Sequence, residues 1–237
     1  MNNNQNGYSE FIKTDEPVKS VNRRNFLRGA GMTAVAGTLV MASCKKDTDP
    51  VTPAGAVDLG SGDVGILNYA YALEQLEAAF YVQVISTPYT GMTDAEKSLL
   101  TDVRDHEIIH RDFFKAALGA NAIKDLEVNF SSVDFTSRAS VLGTAKVLED
   151  TGVSAYNGAG KLLKDVNLLL LAGKIVSVEA RHAGVIRDLL MPNSTSFAGD
   201  DILDANGLDK ATKPSEILMA VQPFVKTPLS GANLPTA

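Results

Sequence analysis

The stretch His106-Glu107-Ile108-Ile109-His110 reads HEIIH and supports two different readings. As HExxH, it sets His106 and His110 on one helical face with Glu107 between them, the pattern of a zinc peptidase. As ExxH, only Glu107 and His110 matter, and they form half of a carboxylate-bridged two-metal site in a helical bundle. The two readings use different ligands and predict different chemistry.

The rest of the chain decides between them. It contains three histidines, and two of them stand three residues after a glutamate: Glu107-x-x-His110 and Glu179-x-x-His182. Residues three apart on a helix differ by roughly 60° around its axis, so each Glu and His face the same way. A lone glutamate comes before each pair. Leu73-Glu74 is followed by Tyr81, and Leu148-Glu149 by Tyr156, each Tyr seven residues after its Glu and so on the same face. The lone and paired glutamates are 33 residues apart in the first half and 30 in the second, an internal two-fold repeat. Glu77, one turn after Glu74, is the rival ligand, but its repeat partner is Gly152.

The pattern Glu, ExxH, Glu, ExxH needs four helices, and four are legible. The first spans about Asp63 to Ser86, ended by Pro88 and Gly91. The second opens on the capping-box pattern Thr93-Asp94-Ala95-Glu96 and runs to Leu118, stopped by Gly119. The third runs from about Ser137 to Leu163, and the fourth from the N-cap Asp165 to Leu190, before Met191-Pro192. Residues 119–136 form a long connection with an extended, alternating piece, LEVNFSSVDF. Short, long and very short connections predict an all-α four-helix bundle with one crossover, between helices two and three. Residues 192–237 read as a loop-rich tail in which Pro214–Val221 forms a short helix covering one end of the bundle.

Four carboxylates in a helical core are untenable without cations. Two divalent ions supply that charge, and carboxylate with imidazole suits iron or manganese. The expected ligands are Glu74, Glu107, His110, Glu149, Glu179 and His182. The zinc reading needs a third ligand such as Glu127 or Glu149. Phe113 stands where the long form HExxHxxGxxH requires glycine. It also leaves Glu179-x-x-His182 and the repeat without a role. His106 is therefore expected to be a satisfied polar neighbour at the bundle edge.

The chain has 237 residues, 45% of them hydrophobic, and a net charge of −6. That size fits one domain plus extensions, and the sign argues against a nucleic-acid partner. No run of about 18 apolar residues occurs, so no segment spans a membrane by itself. Cys44 is the only cysteine, which rules out a disulfide within the chain.

The N-terminal stretch Asn22-Arg23-Arg24-Asn25-Phe26-Leu27-Arg28, followed by a Gly/Ala-rich run, resembles a twin-arginine export signal. Met41-Ala42-Ser43-Cys44 resembles the cleavage box of a bacterial lipoprotein. These resemblances imply an exported, periplasmic or cell-envelope lipoprotein anchored through a lipid on Cys44. The twin-arginine route carries folded proteins, which suits a metal loaded before export. The expected organisation is a signal over 1–44, a flexible tether over 45–62, the bundle over 63–191 and the tail over 192–237.

The stretches LNYAYALEQLEAAFY, RDHEIIHRDFF, VLEDTGVSAYNGA and SVEARHAGVIRDLL resemble the ferritin-like domain family, which includes exported bacterial proteins and plant desiccation-related proteins. The resemblance spans residues 63–223 and fills all six ligand positions. It implies a ferritin-like bundle holding two Fe or Mn ions, with Glu74 rather than Glu77 as the first ligand. It also implies Tyr81 and Tyr156 hydrogen-bonded to carboxylates across the bundle. The expected partners are metal ions and small oxidants. The expected activity is a di-metal oxidoreductase of the ferroxidase or peroxide-consuming kind; the alternative is an envelope protein that only binds metal or a partner. A homo-oligomer is compatible with this picture. A closed storage shell is not, because a lipid tether on every subunit fits one poorly.

Overall fold

The computed structural model describes residues 55–236. The signal with Arg23, Arg24 and Cys44, and residues 45–54 of the expected tether, lie outside the described residues. Four long helices dominate: α1 (Gly62–Ser86), α2 (Asp94–Leu118), α3 (Arg138–Gly160) and α4 (Val166–Leu190). A short helix, α5 (Pro214–Val221), follows in the tail. At about 1.5 Å per residue, the long helices each extend roughly 35–38 Å.

The ends follow local chemistry. Thr93 and Glu96 form the reciprocal capping box that opens α2. The Asp165 side chain accepts from Asn167 N at 2.8 Å and opens α4. Gly119 closes α2 with a φ of 53°, a conformation glycine adopts without strain. The third helix stops at Gly160, three residues before the expected Leu163. The reason is non-local. Both oxygens of Asp63, at the start of α1, accept from Lys164 N and Asp165 N at 2.9 Å and hold that turn out of the helix.

α1 pairs with α2, α3 with α4, and α1 with α3. The helices differ in how far they are enclosed. α2 buries a stripe of Leu100, Val103, Glu107, Phe114 and Leu118, the spacing of a surface helix. α1 is buried on nearly every side, from Gly65 through Val84. The crossover, residues 119–137, covers its outer side. Asn68 donates to Leu59 O and Asn121 O and accepts from Ile123 N. Gln75 accepts from Leu126 N at 2.7 Å. Phe130 and Phe135 then pack on Phe80, with ring centroids 5.6 and 5.9 Å away.

The tail closes one end, where Ile217, Leu218 and Val221 of α5 join the main core. Residues 45–62 are not a tether throughout: β1 (Val57–Asp58) pairs in parallel with β2 (Leu229–Ser230), and Leu59 is fully buried. Val57 N donates to Pro228 O and Leu59 N to Ser230 O, so the entry to α1 is stitched to the C-terminal tail. No helix of the described residues is long and apolar enough to cross a membrane.

Candidate metal centre

Each helix contributes to one buried cluster midway along the bundle: Glu74 from α1, Glu107 and His110 from α2, Glu149 from α3, Glu179 and His182 from α4. All four glutamates are inaccessible to solvent, and His182 is nearly so. The donor atoms fall into two sets, each within a span of 4.8 Å. One set is Glu74, Glu107, His110 and Glu179; the other is Glu107, Glu149, Glu179 and His182. Glu107 and Glu179 belong to both.

The two sets use opposite oxygens of the shared carboxylates. His110 Nδ1 lies 3.5 Å from Glu74 Oε2, 3.7 Å from Glu107 Oε2 and 2.8 Å from Glu179 Oε1. His182 Nδ1 lies 3.6 Å from Glu149 Oε2, 2.7 Å from Glu107 Oε1 and 3.7 Å from Glu179 Oε2. The second set repeats the first about a pseudo-two-fold axis through the bundle.

These atoms converge without pairing. Eight buried polar atoms of the cluster have no hydrogen-bond partner: Glu74 Oε2, Glu149 Oε2, both oxygens of Glu107 and of Glu179, and Nδ1 of both histidines. Even the contacts of 2.7 and 2.8 Å lack hydrogen-bond alignment. Buried polar atoms are ordinarily paired, so eight unpaired donors in one place need a physical cause. Convergence of carboxylates and imidazoles in this way is the arrangement of a metal site, with Glu107 and Glu179 each turning one oxygen to each side.

The remaining oxygens are held from across the bundle. Tyr81 of α1 donates to Glu149 Oε1 of α3 at 2.5 Å. Tyr156 of α3 donates to Glu74 Oε1 of α1. Each tyrosine fixes the lone glutamate of the other repeat and leaves Oε2 for the cluster. Without a cation the cluster holds protons instead. Burial and neighbouring carboxylates push Glu74 and Glu149 well above the ordinary carboxylate range. Against the effect of burial, nearby carboxylates push His110 up to about 12 and His182 to about 10. Glu107 is pulled down to about 2, against its burial, by the two imidazoles.

Glu77 is in neither set. It is buried one turn along α1, with burial and the other carboxylates raising its pKa. Gly152 leaves room for it, since a Cβ at 152 would lie 3.0 Å from Glu77 Oε1. His106 and His110 are not brought together on any cluster of the described residues. Glu127 is on the surface, 3.5 Å from Lys226 Nζ. The geometry that HExxH zinc chemistry requires is not formed.

Residues 62–192 match the family model of the ferritin-like domain. The chain belongs to the ferritin-like family. No curated protein matches it. The buried carboxylate and histidine cluster of this ferritin-like bundle is compatible with a metal site.

Two features of the site have no signal in the sequence. Arg187 of α4 is buried and bonds Asp150 through Nε and Nη2, both at 2.8 Å; it also reaches Asp201 through Nη1 and Nη2 and Ser196 O through Nη1. This network ties the tail to α3 one residue from Glu149. His106 Nδ1 lies 2.9 Å from His182 Nε2. Both contacts join residues distant in the chain, which helical periodicity does not relate.

Proposed function

We propose that this ferritin-like protein holds a di-iron or di-manganese carboxylate centre and uses it for redox chemistry on Fe(II), O2 or peroxide. One observation carries the reading: eight unpaired donor atoms from six residues divide into two four-residue sets that share Glu107 and Glu179, each of which gives one oxygen to each set. The donor set fits the metals. Four carboxylates match the charge of two divalent ions, and oxygen with imidazole nitrogen suits iron and manganese. Glu74 and His110 would hold one ion, Glu149 and His182 the other, and Glu107 and Glu179 both. Such a centre would supply electrons to oxygen or peroxide and take them from a further ferrous ion or from peroxide.

The residues around the cluster prepare it for that work. Tyr81 and Tyr156 fix the lone carboxylates, so little reorganisation accompanies metal entry. The enclosing helices exclude bulk water and strengthen every electrostatic contact inside. The twin-arginine and lipoprotein patterns around Arg23, Arg24 and Cys44 support export and a lipid anchor at the cell envelope. Small species reaching the envelope, rather than a bulky substrate, are then the natural reactants.

Elemental analysis of protein purified without chelators or affinity metals tests the reading. About two iron or manganese per chain is expected, with loss of both in Glu179→Ala and consumption of oxygen or peroxide by the loaded protein. One zinc per chain, lost in His106→Ala, would overturn it. So would failure to take up Fe(II) or Mn(II) on anaerobic reconstitution. Metal uptake with background turnover would leave a binding protein instead of a redox one.

A further inference from the structure

The repeat that builds the cluster is broken on the outer side of the histidines. His106 precedes Glu107, whereas Val178 precedes Glu179 in the second repeat. The surroundings of the two imidazoles differ accordingly. His106 Nδ1 lies 2.9 Å from His182 Nε2, with the rings nearly parallel at 12° and their centroids 5.2 Å apart. His182 thus turns its unpaired Nδ1 into the cluster and meets His106 through Nε2. Val178, the repeat counterpart of His106, has a side chain that offers no acceptor. His110 is also the less enclosed ring, its side chain 11% exposed against 6% for His182.

The chemistry of imidazole gives this contact a direction. A histidine that offers Nδ1 to a cation is neutral and carries its proton on Nε2. That N–H needs an acceptor, and the acceptor fixes both tautomer and ring orientation. His106 Nδ1 is in place to accept it while its own proton sits on Nε2. His106 is exposed and takes part in neither donor set, so this contact is its role at the centre.

We infer that His106 is a positioning residue that makes the two metal positions unequal. The position formed by Glu107, Glu149, Glu179 and His182 binds more tightly and fills first. The position formed by Glu74, Glu107, Glu179 and His110 fills second and empties first. The inference rests on the two-metal reading above. Loss of such a supporting partner typically weakens a metal position by about 10–100-fold, so the difference is large enough to resolve the two steps.

The test is an anaerobic titration of the metal-free full chain with Mn(II), followed by calorimetry and electron paramagnetic resonance. Wild type should bind in two steps. The first should give the hyperfine-split spectrum of isolated Mn(II), and the second should replace it with that of a coupled pair. Glu149→Gln should abolish the tight step and Glu74→Gln the weak one. His106→Phe keeps the ring and loses the acceptor. It should weaken the tight step by about 10–100-fold and leave the weak step in place, so the two merge. His106→Asn, whose Oδ1 falls close to the position of Nδ1, should restore the separation.

Metal-free melting curves matching wild type show that the variants fold. A His106→Phe titration identical to wild type would overturn the inference, as would equal weakening of both steps or two equal sites in wild type. No Mn(II) binding by wild type would overturn the two-metal reading itself, a distinguishable result.

Discussion

The α1–α2 and α3–α4 halves place matching residues around one axis, yet the rest of the molecule treats them differently. α1 is enclosed by its neighbours, by the crossover and by the tail. α4, by contrast, leaves Val166, Leu169 and Leu170 exposed and buries little beyond Ile175, Glu179, His182, Ala183, Ile186 and Arg187. Ligand placement follows local periodicity, and the two repeats share it. Enclosure follows from segments arriving from elsewhere in the chain, and the repeats do not share those. The symmetry of the cluster and the asymmetry of its jacket are therefore separable by mutation.

The largest effect falls where symmetry is strongest. Glu179 belongs to both donor sets and Glu74 to one. Glu179→Ala should remove both metals, whereas Glu74→Ala should leave a single occupied position. Metal content per chain, measured on the two variants, reads this directly. Equal losses would mean that the carboxylates do not share ions as their oxygens suggest.

Next in size is a pH effect that separates metal-free from loaded protein. Metal-free, His182 is raised to about 10 and Glu149 well above its ordinary range. Both groups bind protons more tightly in the folded than in the unfolded chain. Their contribution is complete below the unfolded pKa and is lost as pH rises through the folded one. The metal-free melting temperature should therefore fall as pH rises from about 6.5 to about 10. Glu107 is displaced the other way, to about 2, and acts only below this window. Metal binding expels the protons, so affinity rises with pH and the gap between loaded and metal-free melting temperatures should widen. Calorimetry with chelator and with Mn(II) checks both trends.

The sequence makes legible whatever is fixed within a few residues. The three-residue Glu–His spacing, the Tyr seven residues after each lone Glu, the Thr93–Glu96 capping box and the Asp165 cap all stand in the structure as geometry. The features it hides all depend on distant partners. Asp63 ends α3 from a hundred residues away in the chain. β1 finds its partner in the C-terminal tail, and His106 meets His182 only once α2 and α4 lie side by side. Arg187 is the clearest case. On a helical wheel it is one more basic residue, yet it is 1% exposed and bound by two aspartates.

That residue supplies the third test, on the unshared jacket. Arg187→Met leaves Asp150 without its counter-charge and the tail carboxylate of Asp201 with only Lys146, whose Nζ lies 3.4 Å away. Removing one partner from a buried ion pair costs about 3–5 kcal/mol. Asp201 is 57% exposed and water relieves part of its loss, so about 2–3 kcal/mol is expected. Denaturant unfolding measures the loss. Metal stoichiometry should survive, because the network borders the cluster without entering it.

The smallest effects come from a pair of glycines, one in each helix of the second repeat, and they bring the comparison down to single atoms. Gly158 of α3 lies under the tail, where a Cβ would meet Thr212 O at 1.8 Å, far inside any real contact. That carbonyl cannot withdraw freely, because Thr212 N donates to Ser154 O on the same helix. Gly158→Ala must lift the tail from α3, at the roughly 1–3 kcal/mol typical of overpacking. Gly173 of α4 has nothing within 4 Å of where its Cβ would stand, and its φ is not positive. There alanine removes only the backbone freedom that glycine has in the unfolded chain, so Gly173→Ala should stabilise by about 0.4–1 kcal/mol. Opposite signs for the same substitution in adjacent helices would trace the jacket's boundary. If both destabilise, the face of α4 around Gly173 is covered in solution, and the open half of the molecule is closed by something outside this chain's described residues.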